Sequence, residues 1–378
     1  MVVIGGGPIG CALAAALGRR GIDTLLLEAR AQPAAASDAR TLALSWGTRL
    51  ILHRLGAWEA LQAPTAILSI HVSQRAAFGR TELHAEEVGL PALGYVVAYS
   101  DLHRSLLEQA RLAGVQVREG STALDIDAGS DCTRVSIDAA APVSGRLAVV
   151  ADGGASLAKA AGTRVASVDY RQCAVVGLVR TAQPPRNRAY ERFTGEGPVA
   201  LLPHGDEYAL VWSCTPAVAP LLTALDDDGF IARLQNHFGD RAGRFLAVRD
   251  RTSFPLVLRF AWNTVMHRTI LVGNAAQALH PIAGQGFNLG LRDAWDLCEI
   301  LGADPTADPG DPALLSRYRR ARRGDRIAGI ALTDALTRLF SNDFTPLACA
   351  RGIAVASLDL FPPAKHSLMR RMIFGTHW

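Results

Sequence analysis

The sequence predicts an α/β protein with a parallel-sheet domain assembled from separated segments, an inserted antiparallel sheet and a helical C-terminal region. Three observations carry that expectation. Apolar strands break into glycines near residues 4, 150 and 272. Short alternating strands fill residues 173–258, and helical spacing dominates residues 313–375.

Val2, Val3 and Ile4 form a short strand that breaks into Gly5-Gly6-Gly7-Pro8-Ile9-Gly10. An Ala- and Leu-rich helix follows over residues 11–20 and ends at Gly21. A second strand over residues 24–27 then finishes at Glu28. Gly5, Gly7 and Gly10 give G-x-G-x-x-G in the context of a Rossmann-like unit, strand before and helix after. The terminal acid holds a ribose hydroxyl. A lone G-x-G-x-x-G is a weak signal, but strand, glycines, helix, strand and acid in one run are a strong one. The motif begins at residue 2, so no signal peptide is expected before it.

Residues 38–45 follow a Pro/Ala-rich loop and are expected to open a helix reaching about Leu55, with Arg40 at the loop–helix junction. Locally, Arg40 reads as a surface arginine. Next come a strand over 95–99, a helix over 101–113 capped by Ser100 and ended by Gly114, and a strand over 115–118. Alternation over 123–147 predicts a hairpin or meander. The strand at 147–150 runs into Ala151-Asp152-Gly153-Gly154, a second strand-to-glycine junction, which carries an acid.

Strands expected at 174–180, 188–194, 198–203, 207–213 and 252–259, with a helix at 226–238, form a separate substrate-facing unit. The third junction, LVGNAAQALHPIAGQGFNLGLRD from Leu271 to Asp293, reads as a strand, a Gly273 turn, and the pair Gly284 and Gly286. A helix follows from about Asn288. Free backbone N–H groups at a helix start favour an anionic or electron-rich ligand. With the N-terminal motif, this junction points to a flavin. The run Arg317, Arg319, Arg320, Arg322, Arg323 and Arg326 is expected to form a solvated helix face. The tail over 365–374 mixes cations with large apolar residues and is expected to dock on the core or lie on an anionic membrane surface.

The 378 residues, 49% of them apolar, suffice for a large core and two or more structural units. A net charge of +4 with both signs scattered does not argue for nucleic acid. The six cysteines include no C-x-x-C, which points to buried free thiols in a reducing cytoplasm and away from dithiol–flavin reductases. The histidines show no metal spacing and no G-x-S-x-G elbow is present, so metalloenzyme and hydrolase readings fall away. The apolar stretch 347–361 is broken by Arg351 and Asp359 and is too short to span a bilayer.

These residues resemble the class A flavoprotein aromatic monooxygenases, and within them the ubiquinone-biosynthesis hydroxylases. The likeness runs nearly end to end. It includes Gly5 to Gly10 with Glu28, Arg40-Thr41-x-Ala43-Leu44-Ser45, Asp152-Gly153, and Phe193-Thr194-x-x-Gly197-Pro198-x-Ala200-Leu201-Leu202-Pro203. Its most specific part is His280-Pro281-x-Ala283-Gly284-Gln285-Gly286-x-Asn288-Leu289-Gly290-x-Arg292-Asp293.

The resemblance implies a para-hydroxybenzoate hydroxylase-like FAD-binding domain over 1–68, 96–168 and 262–312. It further implies a substrate domain over 69–95 and 169–261, and a helical region over 313–378. It also implies that Gly5, Gly7 and Gly10 cradle the FAD pyrophosphate, that Glu28 holds the ribose, and that Arg40 approaches the cofactor. Asp152 belongs to a motif tied to FAD and NAD(P)H. By the same resemblance Asn274 is expected to contact the ribityl chain, and Pro281, Gly284, Gln285, Gly286, Phe287 and Asn288 to line the isoalloxazine.

Three departures stand out: Asn274 and Gln277 replace an acid and a histidine, Lys159 replaces an arginine, and Tyr99 replaces an amide. The Asn-Ala-Ala-Gln run resembles the 2-polyprenyl-6-methoxyphenol hydroxylase subtype. The implied reaction uses NAD(P)H as a transient reductant and O₂ to hydroxylate a polyprenylated phenol. A base or hydrogen-bond partner for the phenol is expected, with Tyr190, His204 and Tyr208 as positional candidates. The other readings are an FAD hydroxylase of a soluble aromatic compound and a non-catalytic flavin-binding subunit of a quinone-biosynthesis complex. Implied surroundings are the cytoplasm, peripheral contact with the inner membrane, and a ubiquinone-biosynthesis protein complex.

Overall fold

The computed structural model describes residues 1–31, 40–75, 79–154, 156–304, 306–340, 352–353 and 356–376. Asp38 and Ala39 of the expected helix, and Cys349, lie outside them.

The chain opens with β1 (Val2–Ile4), α1 (Pro8–Gly18) and β2 (Leu25–Leu27), followed by β3 (Thr41–Ser45), α2 (Trp46–Arg54) and β4 (Thr65–Ile67). After β5 (Ser69–Gln74), β6 (Arg80–His84) and β7 (Gly94–Ala98) come α3 (Tyr99–Leu112) and β8 (Gln116–Arg118). Strands β9 (Ala123–Ala128), β10 (Thr133–Ile137) and β11 (Ala140–Gly145) precede β12 (Ala148–Val150) and α4 (Ser156–Ala160).

Short as it is, β1 is fully engaged. Val2, Val3 and Ile4 pair in parallel with Ala148, Val149 and Val150 on one side and with Leu25, Leu26 and Leu27 on the other. Val3 points to the helices, packing with Leu13, Leu102 and Leu291, whereas Val2 and Ile4 point to Ile126 and Val135 of the β9–β11 meander. Both faces are covered, which is why these strands read as continuous apolar runs.

Residues 41–45 are a strand, not the start of a helix. Thr41-Leu42-Ala43-Leu44-Ser45 pairs antiparallel with β7, which also carries β4. Helix α2 begins only after Ser45, whose hydroxyl accepts the Thr48 N–H at 3.2 Å as an N-cap. Arg40 therefore stands immediately before a strand. Ser100 is likewise not a cap: α3 starts at Tyr99, and its N-cap position, Ala98, provides no side-chain bond.

The middle of the chain supplies β13 (Val165–Thr181), β14 (Arg188–Thr194), β15 (Gly197–His204), β16 (Glu207–Cys214), α5 (Val218–Ala224), α6 (Asp227–Phe238) and β17 (Phe245–Ala261). Next come β18 (Val265–Met266), β19 (Thr269–Leu271), β20 (Gln277–Ala278), α7 (Gln285–Gly302), α8 (Pro312–Phe340) and a C-terminal helix (Pro362–Phe374). The first sheet has the order β18-β19-β12-β1-β2-β8, with β18 its one antiparallel strand. A second, eight-stranded sheet runs β20-β17-β13-β16-β15-β14-β5-β6. It is antiparallel except where β14 lies parallel to β5, a pairing that alternation alone could not reveal. One face of this sheet packs Trp212, Val199, Leu201 and Tyr190 against Phe230, Leu234 and Phe238 of α6.

The arginine run of α8 is not uniformly solvated. Arg317, Arg319, Arg320 and Arg323 are exposed, but Arg322 is buried and Arg326 half-buried. Tyr318, Arg322 and Asp325 recur at helical spacing and face α7. There Arg322 binds Asp293 and Asp296, each at 2.8 Å, and Asp325 at 2.9 Å. Three carboxylates around one guanidinium explain why a charge stays inside.

The C-terminal helix docks: Met369 and Ile373 join Leu83, Ala85 and Leu93, and Lys365 bonds Glu87 and Asp359 at 2.9 Å each. Among the described residues no helix is long and apolar enough to cross a membrane. Cys11, Cys214 and Cys298 are buried free thiols as expected, whereas Cys132 is exposed and Cys173 half-buried.

Candidate functional site: a dinucleotide cavity continued onto the second sheet

A continuous cavity of about 1290 Å³ extends from the end of β1, past the start of α7, to the second sheet and the C-terminal helix. That exceeds the usual range for a drug-sized ligand.

At the first-sheet end the glycines divide by task. Gly5 has φ +107°, and a Cβ there would lie 2.6 Å from the Ala151 carbonyl carbon. A Cβ on Gly10 would lie 1.9 Å from the Gly5 carbonyl oxygen, so Gly10 closes the packing of α1 on β1 and does not itself line the cavity. Gly7, at the N-cap of α1, faces the opening, and a Cβ there would meet nothing within 4 Å. The helix therefore presents its positive end to the cavity beside a backbone free of side chains, the arrangement a pyrophosphate requires.

Glu28 also lines the cavity. One carboxylate oxygen accepts the Gly6 N–H at 2.8 Å, and the other accepts the backbone and side-chain N–H groups of Arg30 at 2.9 Å each. Burial opposes its charge, but the bonds from Arg30 and Gly6 outweigh it and hold the pKa below the ordinary glutamate value. Arg40 lies over the Tyr99 ring, 4.4 Å from its centroid, so the aromatic ring that replaces an amide supports a cation on the cavity wall. Asp152 is reached by solvent through the cavity, yet protein surrounds it, and this burial raises its pKa despite the Gly154 N–H bond at 3.0 Å.

At the α7 end, the Asn274 side chain is exposed within the cavity and makes no hydrogen bond with any described residue. Pro281, Gly284, Gln285, Gly286, Phe287 and Asn288 all reach the wall. Gly284 has φ +61°, and a Cβ there would be 2.9 Å from that of Ala43; at Gly286 it would meet nothing within 4 Å. Gln285 bonds the Met372 carbonyl at 3.3 Å, tying this turn to the C-terminal helix. The amide of Asn288 is engaged by the protein. Its oxygen accepts the Ser45 N–H at 2.9 Å and the Thr48 hydroxyl at 2.7 Å, while its nitrogen donates to Ala43 and Gly284. Asn288 clamps β3 to α7 and shapes the wall through that clamp.

Gln277 is a second such device, unsuspected from the sequence. It donates to Asp293 at 2.7 Å and accepts from Arg326 at 2.9 Å, and Asp293 also accepts the Gly273 N–H at 3.2 Å. The buried charges of α8 thus fix the turn that carries Asn274. An amide suits this position because it must donate and accept at once. His280 is buried with its Nδ1 accepting the Ile282 N–H, and burial pushes its pKa down to about 4, leaving it neutral.

Of the three candidate bases, Tyr190 borders the cavity but packs with the α6 cluster; His204 and Tyr208 do not line the cavity. Tyr208 donates instead to the Pro185 carbonyl at 3.4 Å. On the second sheet Ala200, Leu202 and Val211 face the cavity, while Val199, Leu201 and Trp212 face α6, as strand alternation requires.

An elongated cavity, a side-chain-free cradle at Gly7 and Gly286, a ribose-height acid and an amide without a protein partner fit FAD. The comparisons agree. The FAD binding domain family matches residues 1–328. A ubiquinone hydroxylase, UbiL, of Rhodospirillum rubrum is 35% identical over 382 residues, covering 98% of this chain and 88% of its own. The 3-demethoxyubiquinol 3-hydroxylase of Escherichia coli is 29% identical, covering 95% and 94%. The solved structure of the Diels-Alderase PyrE3 has a TM-score of 0.77 at 25% identity, with 99% of this chain and 80% of that one covered. That of the p-nitrophenol 4-monooxygenase PnpA from Pseudomonas putida DLL-E4 has 0.76 at 16%, covering 100% and 98%. The last two speak to the fold, which hosts several chemistries. The chain belongs to the FAD binding domain family and, within it, to the ubiquinone-biosynthesis FAD-dependent hydroxylases, a group of flavin monooxygenases.

Proposed function

We propose that the chain hydroxylates the ring of a polyprenylated phenol, 2-polyprenyl-6-methoxyphenol, with NAD(P)H as reductant. The observation that carries this reading is the cavity's apolar extension. Beyond the flavin-lining turn it is walled by Ala200, Leu202 and Val211 of the second sheet, by Leu332 and Leu336 of α8, and by Met372. A small soluble aromatic compound has no use for such a passage; a prenyl chain does. The eight-stranded sheet, with residues 69–95 and 169–261, serves as the substrate domain in this reading.

FAD held here would supply the redox chemistry that activates O₂. The protein's part is to bind, orient and keep water out. Gly5 and Gly7 admit the pyrophosphate, Glu28 accepts from the ribose, and Asn274 accepts from the ribityl chain. Arg40 and Asp152 border the same space, and the turn from Pro281 to Asn288 positions the ring. Deleting the gene should accumulate the polyprenyl phenol that lacks one hydroxyl; unchanged quinone content with no accumulated phenol would refute the assignment.

The substrate's lipid nature also favours peripheral membrane contact. Since Met369 and Ile373 are buried and Lys365 is paired, the outer surface offered by the tail is Arg370, Arg371 and the exposed Phe361. Flotation with anionic liposomes should weaken with salt. Equal flotation of a chain ending at Pro363 would leave the tail without that role.

A further inference from the structure

We propose that Glu191 contacts the phenolic hydroxyl of the ring substrate and takes its proton as the base of the reaction. The inference rests on the polyprenyl-phenol reading and adds to it a residue that no other consideration selects.

Glu191 sits in mid-strand on β14, opposite Ala200 of β15 and Val72 of β5. All three line the cavity. Strand alternation puts Glu191 on the face of Ala189 and Phe193, with Tyr190 turned toward α6. On that face it is an acid among aliphatic and aromatic neighbours. It has no hydrogen bond or ion pair with any described residue, and it is neither exposed at the outer surface nor sealed in the core.

Its position relative to the cofactor site follows from packing. Phe193 and Val72 form one cluster with Ile282, which lies between Pro281 and Gly284 in the turn that lines the isoalloxazine. Glu191 is two residues from Phe193 along the strand, about 7 Å, and directly beside Val72.

The charged and titratable groups on the cavity wall are Glu28, Arg30, Arg40, Tyr99 and Asp152, none of them on the eight-stranded sheet, together with Tyr190. Ala200 of β15 and Val72 of β5 stand directly beside Glu191, and Ile70 of β5, Thr81 of β6 and Leu336 of α8 line the cavity with them. None of these carries a charge. Burial alone therefore acts on the carboxyl and pushes its pKa up to about 7. A carboxylate poised there can accept a proton at neutral pH, and an unpartnered acid in an apolar wall is otherwise unfavourable.

In the proposed step the phenol O–H bond breaks and its proton passes to a Glu191 oxygen. The bonding pair stays on the phenol oxygen and raises electron density at the ortho and para carbons. Nothing is oxidised or reduced in this transfer. After hydroxylation Glu191 returns the proton to water.

The test compares wild type and Glu191→Gln, each loaded with FAD, using 2-geranyl-6-methoxyphenol and a ring-fluorinated analogue that is largely ionised at the assay pH. The proposal expects kcat with the parent phenol to fall at least tenfold in the variant. The rise of wild-type activity with pH near 7 should disappear, and the fluorinated phenol should recover most of the loss. A variant within twofold of wild type that keeps the same pH limb would overturn the role of Glu191 while leaving the substrate assignment intact. If wild type does not hydroxylate the phenol, the substrate reading fails, and binding by flavin difference spectrum decides the contact. Tenfold weaker binding in the variant supports it; equal binding, or no binding to either protein, overturns it.

Discussion

Gly7 and Gly10 stand in one motif, yet the structure gives them opposite demands. Gly7→Val adds atoms only to the cavity, since nothing surrounds its Cβ position within 4 Å. It should give a folded protein with normal thermal unfolding and no yellow colour. Gly10→Ala drives a methyl group into the Gly5 carbonyl and should lower both melting temperature and flavin content. At Asn274 the side chain has no described protein partner, so variants there should fold normally and report on cofactor alone. Asn274→Ala should weaken FAD by about 1–3 kcal/mol, since a ligand hydroxyl loses its acceptor. Asn274→Asp sets a stronger acceptor against added negative charge near the pyrophosphate, and should change affinity by less than about tenfold, roughly 1.4 kcal/mol. Flavin fluorescence on dissociation measures both. The glycine spacing and the place of Asn274 on the cavity wall are legible in the sequence because each depends on local backbone or on position in a motif. Glu191 is not, because its meaning lies in what surrounds it: Val72 is far away in sequence and becomes its neighbour only through a parallel pairing.

At the scale of elements, the junction of α7 and α8 holds from behind the turn that carries Asn274. Arg322→Met leaves Asp293 and Asp325 buried without their shared guanidinium. It should destabilise the protein by about 3–5 kcal/mol, read by urea unfolding of the FAD-free chain. A change below about 1 kcal/mol would mean that the bond from Arg292 to Asp325 at 2.7 Å, with those from Gln277 and Gly273 to Asp293, satisfies the cluster. A run of six arginines reads as a solvated face because composition carries no direction; the inward phase appears only once Tyr318 and Asp325 are seen to share it. Residues 41–45 read as helix for a similar reason. Thr41-Leu42-Ala43-Leu44-Ser45 has no strong local preference, and β7, which makes it a strand, lies some fifty residues on. The alternating strands of the second sheet are plain because one face meets α6 and the other the cavity, which writes a period of two into the sequence.

For the whole molecule, one cavity joins two sheets and a terminal helix, so distant parts should fail together. A chain ending at Pro363 loses the buried Met369 and Ile373, the pairs of Lys365, and the wall at Leu368 and Met372. Water then reaches the site, and the ratio of NAD(P)H consumed to phenol hydroxylated should rise well above that of the full chain. An unchanged ratio would show that the helix closes nothing. The central claim, that this cavity puts a polyprenyl phenol beside a flavin that activates O₂, is tested most directly by isotope. The FAD-loaded chain is given NAD(P)H, 2-geranyl-6-methoxyphenol and ¹⁸O₂, and the product is weighed by mass spectrometry. The account predicts a hydroxylated ring carrying one ¹⁸O per molecule. An unmodified phenol, or a product whose new oxygen comes from water, would contradict it.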